Sequence, residues 1–217
     1  AVLICFLTCL TVYYVATSNW MLALAGLVCA AAGSTVLYHL FDHVRTRVAI
    51  WQNPWDSPQG SGYQIIQSLI SIASGGLTGM GLGLGSPDIV PVAESDFIFS
   101  AICEEFGILV GLILILLYVI LFARGLLLAM RARSSFHALL AVGAVTSLAL
   151  QTFMIVGGVI KMIPLTGVTL PFVSYGGSSM LSSMLMLGIL QGVSISVGEQ
   201  DESQWRMARR REEVPEL

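Results

Sequence analysis

An all-α, polytopic transmembrane helix bundle is the fold class this sequence predicts, and three observations predict it. Of the 217 residues 56% are hydrophobic and 11% charged, against about 25% charged in an ordinary soluble domain. The mean hydropathy is +0.85. Apolar runs approaching the roughly 20 residues needed to cross a bilayer recur along the chain.

Six spans are expected. The first runs from Ala1 to Ala16 and turns at Thr17-Ser18-Asn19; the second runs from Trp20 to Phe41. A polar loop follows, in which Trp51 and Trp55 suit a membrane interface. The third span starts at Tyr63 and fades into glycines by Gly75. The fourth covers Phe97 to Phe122, the fifth Phe136 to Ile160 and the sixth Ser178 to Val197. Residues 1–197 thus form one transmembrane domain, and 198–217 form a polar tail expected to be mostly disordered. The chain opens on Ala1 inside an apolar run, with no basic region or cleavage site ahead of it. That is no signal peptide, and it reads as the C-terminal part of a longer protein.

Net charge, -3, says little in a membrane protein; the side on which charges lie says more. If six spans alternate, Arg45, Arg47, Arg124, Arg131, Arg133, Arg206, Arg209, Arg210 and Arg211 fall on one side and Lys161 alone on the other. The positive-inside rule then places the tail in the cytoplasm and both Gly75–Asp96 and Lys161–Gly177 outside.

Several function classes drop out. Basic residues are few and not interleaved with aromatics, so nucleic acid is not a partner. Cys5, Cys9, Cys29 and Cys103 form no CxxC pair and read as small apolar residues. His39 and His43 stand four apart without a third ligand. The glycine run Gly75 to Gly85, GGLTGMGLGLG, lacks the Gly-Lys-Ser/Thr ending of a phosphate loop. It reads as flexible backbone at the membrane surface, tolerated there only when covered by protein or lining a cavity.

The stretch from Pro87 to Gly111 carries the chemistry. Ser95 and Asp96 stand at the mouth of the fourth span, and Glu104 and Glu105 lie inside it. Carboxylates in lipid are costly and are kept for function. Asp96 can cap the helix, with Ser95 as the alternative cap, or act as a general base facing the outer surface. Glu104 and Glu105 sit roughly 12–13 Å further along, where they must face protein, water or a partner. Gly107 and Gly111 mark a close helix contact. On the second outer loop two prolines, Pro164 and Pro171, forbid a continuous helix. Ser174, Tyr175, Gly176, Gly177, Ser178 and Ser179 then open the sixth span, a helix N-terminus able to seat an anion, with Lys161 as the nearby cation.

Three stretches together, GYQIIQSLISIASGGLTGMGLG at Gly62–Gly83, DFIFSAICEEFG at Asp96–Gly107 and IPLTGVTLPFVSYGGSS at Ile163–Ser179, resemble the SEDS family, whose members include RodA, FtsW and SpoVE. The resemblance covers about Arg45 to Ser196. It implies the C-terminal part of a ten-span inner-membrane peptidoglycan glycosyltransferase. Such proteins polymerise glycan strands from lipid II and work with a class B penicillin-binding transpeptidase. It implies that the family's essential aspartate is Asp96, and that Gln64 and Gln67 are structural or partner-facing positions. Two departures stand out. The family often has Pro-Glu-x-His-Thr where this chain has Pro91-Val92-Ala93-Glu94-Ser95, and a family asparagine after Gln151 is Ile155 here.

The implied chemistry needs a base for a sugar hydroxyl and a positive seat for a departing lipid diphosphate. Asp96 is the expected base. Lys161, the N-terminus of the sixth span and a divalent cation, magnesium or manganese, are the expected seat. Two rival readings use the same features: a flippase for the lipid-linked precursor, since broken helices and intramembrane carboxylates also mark transporters, and a non-catalytic scaffold for the transpeptidase.

Overall fold

The computed structural model describes residues 2–85, 91 and 93–213, and of 200–202, 204–208 and 210–213 the backbone alone. Most of the expected loop Pro87–Val90 and the end of the tail, 214–217, lie outside it. Seven helices follow in order: α1 (Val2–Thr17), α2 (Trp20–Leu40), α3 (Asp42–Gln52), α4 (Tyr63–Gly75), α5 (Ile98–Arg131), α6 (Ser135–Val159) and α7 (Gly177–Glu213), with a 3-10 turn at Pro54–Asp56 between α3 and α4. The protein is a polytopic helical bundle. By length and composition Trp20–Leu40, Ile98–Arg131, Ser135–Val159 and Gly177–Glu199 can each cross a membrane, and Val2–Thr17 is a shorter apolar helix.

The elements start and stop for local reasons. Ser18 takes a left-handed conformation, and the Asn19 side chain accepts the Met21 amide at 3.1 Å, so α1 turns directly into α2. Phe41 is extended and serves as both the end of α2 and the start of α3. Two apolar clusters hold the bundle. One joins α5, α6 and α7 through Ala129, Ala141, Val145, Leu148, Leu190 and Val193. The other gathers Phe97, Phe99, Cys103 and Tyr118 of α5 and its cap with Ile155 and Val159 of α6 and Leu170 of the following loop.

The bundle has two ends. At one, called the loop end, Trp51 Nε1 of α3 donates to the Lys161 carbonyl at 3.1 Å and Arg47 donates to the Leu165 carbonyl at 3.0 Å. The first turn of α1 is there too, since Ile4 and Cys5 line a groove with Gly167 and Ser178. At the other, the tail end, Val12 meets Gly143 and Phe136.

This arrangement corrects the expected third span. α4 has 13 residues, about 20 Å, short of the roughly 30 Å hydrocarbon core. It starts at the loop end, where Gly62 sits so close to the Pro54 carbonyl that a Cβ would collide with it. It descends to Gly75, packed on the Cys103 carbonyl, and the glycine run then turns the chain back. α4 and the run form a re-entrant hairpin, so Arg45 and Arg47 share the loop end with Lys161 rather than joining the other arginines. Arg124, Arg131, Arg133 and the arginines of the tail stay at the tail end, still the more basic one.

The hairpin is possible because α5 is broken. Gly107 has φ 85 and ψ 165 inside the helix. The break frees carbonyls above it and amides below it, and the hairpin takes them. Met80 N donates to the Glu104 carbonyl at 2.9 Å and Gly81 N to the Glu105 carbonyl at 3.0 Å; Ile108 N donates to the Gly76 carbonyl at 3.0 Å and Leu109 N to the Leu77 carbonyl at 3.5 Å. Of the two glycines expected to let a second helix approach, Gly107 admits the hairpin instead, since a Cβ there would strike the Leu77 carbonyl, while Gly111 faces its own helix, where a Cβ would lie 2.7 Å from Cys103 Sγ.

The tail also departs from expectation. α7 continues without interruption through Glu213. Between Glu199 and Val214 the sequence has neither glycine nor proline and is rich in glutamate, glutamine and arginine, all strong helix formers.

Two outcomes are expected. In intact cells, thiol reagents that cannot cross the membrane should label Arg47→Cys and Gly167→Cys from the same side and Arg133→Cys only after permeabilisation; labelling of Arg47→Cys with Arg133→Cys would restore α4 as a full span. Gly107→Ala should cost at least about 1–3 kcal/mol of stability, read as a lower unfolding midpoint in detergent, because alanine is strained at this φ and its methyl meets the hairpin.

Candidate active site at the loop end

Two segments meet where α5 begins. The chain before α5 is tied to the loop between α6 and α7 through Ser174. Its hydroxyl accepts the Leu170 amide at 2.8 Å and donates to the Ser95 carbonyl at 2.6 Å. Beside it, Tyr175 N donates to the Glu94 carbonyl at 2.9 Å. Beneath, the Tyr118 hydroxyl of α5 donates to the Pro171 carbonyl. Buried polar groups are generally paired in this way, and the bonds to the Glu94 and Ser95 carbonyls fix the backbone just before Asp96.

Asp96 is half-buried. Ser95 Oγ donates to its Oδ1 at 3.0 Å. Its Oδ2 looks towards Gly167, where φ is 63 and an added Cβ would come to 3.5 Å of that oxygen. The capping alternative does not hold: Phe97 is the N-cap of α5 and no side chain caps it. The strap through Ser174 and Tyr175 draws residues 94–96 sideways onto the other loop, away from the first amides of the helix. The carboxylate is left facing a neighbouring loop rather than its own helix.

Gly167 is the link to a groove of about 610 Å³ between α1, α6, α7 and the 167–176 loop. Its walls carry Thr8, Ser147, Gln151, Thr169, Ser178 and Ser179. Gln151 Nε2 donates to the Thr169 carbonyl at 2.9 Å and reaches Ser179 Oγ at 3.4 Å, and Thr169 Oγ1 donates to Ser179 Oγ at 2.6 Å. A second groove of about 630 Å³ runs along Glu94, Ile98, Ser174, Tyr175, Gly177 and Met180 on the other side of the same strap. Gly176 lines both grooves. Tyr175 is 79% exposed, so its ring is available to a ligand.

The other expected residues are distributed unevenly. Ser174, Tyr175, Gly176, Gly177, Ser178 and Ser179 all lie on or between the two grooves. Lys161 lines neither; its backbone is left-handed, φ 62, and its carbonyl is held by Trp51. Glu104 is 5% exposed and packs beside Gly85, while Glu105 Oε1 accepts the Gly83 amide at 3.2 Å. Both glutamates therefore serve the hairpin. Gln64 and Gln67 are half-buried on α4 and line neither groove. Among the described residues no three His, Cys, Asp or Glu side chains converge to hold a metal ion.

Residues missed by the sequence reading include Gln151, Thr169, Arg47 and Trp51. A lone amide in the middle of an apolar span was the available signal for Gln151. Arg47 and Trp51 are four apart and so share a face of α3. Ile155, where an asparagine was expected, is 2% exposed in the apolar cluster beneath the site, so packing replaces a polar contact there.

Fold and site together define a helical membrane protein with two carboxylates, half-buried Asp96 and exposed Glu94, beside hydroxyl-lined grooves at one end. The model of the cell cycle protein family FtsW/RodA/SpoVE matches residues 1–199, and the chain belongs to that family. Among curated proteins, the peptidoglycan glycosyltransferase RodA of Mycobacterium tuberculosis is 50% identical over 195 residues, 89% of this chain and 41% of that protein. Stage V sporulation protein E of Bacillus subtilis is 42% identical over 150 residues, 68% of this chain and 41% of that protein. A chain from a structural study of how a peptidoglycan synthase complex coordinates polymerization and crosslinking superposes with a TM-score of 0.72 at 28% identity, over 90% of this chain and 55% of that one. The chain spans about two-fifths of the length of these curated relatives.

Ser174→Ala should cost about 1–3 kcal/mol, because it strands the Leu170 amide and the Ser95 carbonyl. Ser174→Thr, which keeps the hydroxyl, should recover most of that in the same thermal unfolding assay; equal losses would assign the effect to packing.

Proposed function

We propose that this chain is the catalytic membrane part of a peptidoglycan glycosyltransferase, which extends glycan strands from lipid II. The observation that supports it is the placement of Asp96. It is half-buried, held by Ser95, and its Oδ2 lies beside Gly167; Asp96 itself lines neither groove, but Gly167 lines the one whose polar lining is hydroxyls and one amide. Hydroxyls and amides suit a sugar. The groove opens between apolar helices, which suits a lipid tail.

In this reading a sugar hydroxyl of one lipid-linked chain attacks the anomeric carbon of another. The hydroxyl proton passes to the Asp96 carboxylate, and the bond from the anomeric carbon to the lipid diphosphate breaks with its electrons leaving on the diphosphate. A single carboxylate suffices for an inverting displacement, as it does for the attacking water in inverting glycosidases. The N-terminus of α7, from Gly177 to Ser179, is the seat for the leaving group. Lys161 and Arg47 supply positive charge from the same end, Arg47 through its bond to the 161–168 loop. A divalent cation, magnesium or manganese, would arrive with the diphosphate, since the described residues build no cage for one. The more basic tail end lies in the cytoplasm and the loop end faces outward, in the inner membrane, where a class B penicillin-binding transpeptidase would act on the product.

A flippase would also use a broken helix. In transporters the freed helix ends coordinate the substrate. Here the hairpin occupies the freed carbonyls of Glu104 and Glu105 and the freed amides of Ile108 and Leu109. That favours a rigid scaffold for chemistry over a moving gate.

Asp96→Asn should abolish glycan polymerisation by the purified protein with its transpeptidase on lipid II, a loss of several orders of magnitude, while membrane levels stay unchanged. Full activity of Asp96→Asn would remove it as the base. Polymerisation without any membrane gradient separates the enzyme from the flippase.

A further inference from the structure

At the tail end, far from Asp96, α5 and α7 flank a second kind of site, open to the surface. It is a cavity of about 380 Å³, within the roughly 300–1,000 Å³ range of small-ligand pockets. Arg124 and Arg131 of α5 line it, with Gln191, Ser194 and Gly198 of α7 opposite. The spacing puts these groups on facing surfaces. Arg124 and Arg131 are seven residues apart, two turns along nearly the same face and about 10 Å from one another along the axis. Gln191, Ser194 and Gly198 follow the three-and-four spacing of a single face.

The rest of the wall is apolar: Leu121, Leu128, Leu190 and Val197. Gly125, at the floor, packs so closely on Val145 of α6 that a Cβ there would collide with its side chain. Among the described side chains no carboxylate lines the cavity. Among the described residues neither Arg124 nor Arg131 has an ion pair or hydrogen bond. Two exposed guanidiniums without a counter-charge among the described residues attract an anion. A guanidinium fork matches a phosphate in two hydrogen bonds, and an amide and a hydroxyl across the gap can accept or donate to a polar headgroup. The apolar walls running towards the membrane centre suit acyl chain.

We infer that this cavity binds the phosphate headgroup of an anionic phospholipid, with its chain laid between α5 and α7. Basic pockets between helices at the membrane edge recognise lipid headgroups in this manner. The inference does not depend on the reaction at Asp96, and neither arginine belongs to that site.

The test uses the purified protein, extracted in mild detergent and examined by native mass spectrometry with added phosphatidylglycerol, phosphatidylcholine or inorganic phosphate. Phosphatidylglycerol should be retained in preference to phosphatidylcholine, and Arg124→Gln/Arg131→Gln should lower that retention about ten-fold or more. Lys replacements at both positions should retain an intermediate amount, since charge remains but the fork is lost. Equal retention of both lipids by the native protein would make the cavity a plain apolar groove and overturn the inference. Displacement of phosphatidylglycerol by millimolar inorganic phosphate would make it a free-phosphate site and overturn the lipid assignment. If the double Gln variant fails to fold, the lipid preference of the native protein and the Lys variant decide the matter.

Discussion

One constraint governs this molecule: inside hydrocarbon, a backbone amide or carbonyl without a partner costs several kcal/mol. A helix can be interrupted there only if something else completes its bonds. The interruption at Gly107 is completed by four hydrogen bonds from the 76–81 backbone. The glycines of that run follow from the same need. Gly79 lies against the Glu105 carbonyl with φ 82, where a side chain would fit neither the space nor the backbone angle. Helix and hairpin therefore stand or fall together.

The consequences reach the site. Because α4 turns back at mid-depth, the chain re-emerges at the end where it entered, and residues 94–96 arrive beside the 163–176 loop. The strap through Ser174 and Tyr175 then fixes them there. Asp96 is placed by two independent supports, the hairpin below and the loop beside it. The apolar cluster of Phe97, Cys103, Ile155 and Leu170 fills the space beneath. A carboxylate held in this way would need little reorganisation to act as the proposed base, which is the condition under which positioning accelerates a reaction.

Much of this was legible in the chain. The spans of α2, α5, α6 and α7 follow from apolar length alone, and the motifs singled out Asp96 and the Ser174–Ser179 turn. What was not legible had a common cause. Apolar length cannot tell a short span from a re-entrant hairpin, and one misread element flips every charge before it to the wrong face. Arg45 and Arg47 were misplaced for that reason, and with them the cation nearest the 161–168 loop. Gly107 and Gly111 read as one close helix contact, but period and spacing cannot say that Gly107 meets backbone from a loop and Gly111 meets Cys103 of its own helix. The tail was judged by polarity, although its helix-forming residues argued the other way.

The depth of each carboxylate sorts its role. Glu104 and Glu105 lie beside the break, one buried against Gly85 and the other holding the Gly83 amide. Both contact the hairpin, and Glu104 is buried by it, whereas Glu105 is half-exposed. Asp96 stands seven positions before Cys103 along the chain, at the loop end, where its neighbours are a serine hydroxyl and a glycine without a side chain. Gly167 leaves open the side of the carboxylate that faces the hydroxyl-lined groove. A larger residue there would close the approach without touching the acid itself. Burial sets Glu104 apart from the carboxylates at the loop end, and among those Asp96 is the proposed base because Ser95 holds it and Gly167 adjoins it.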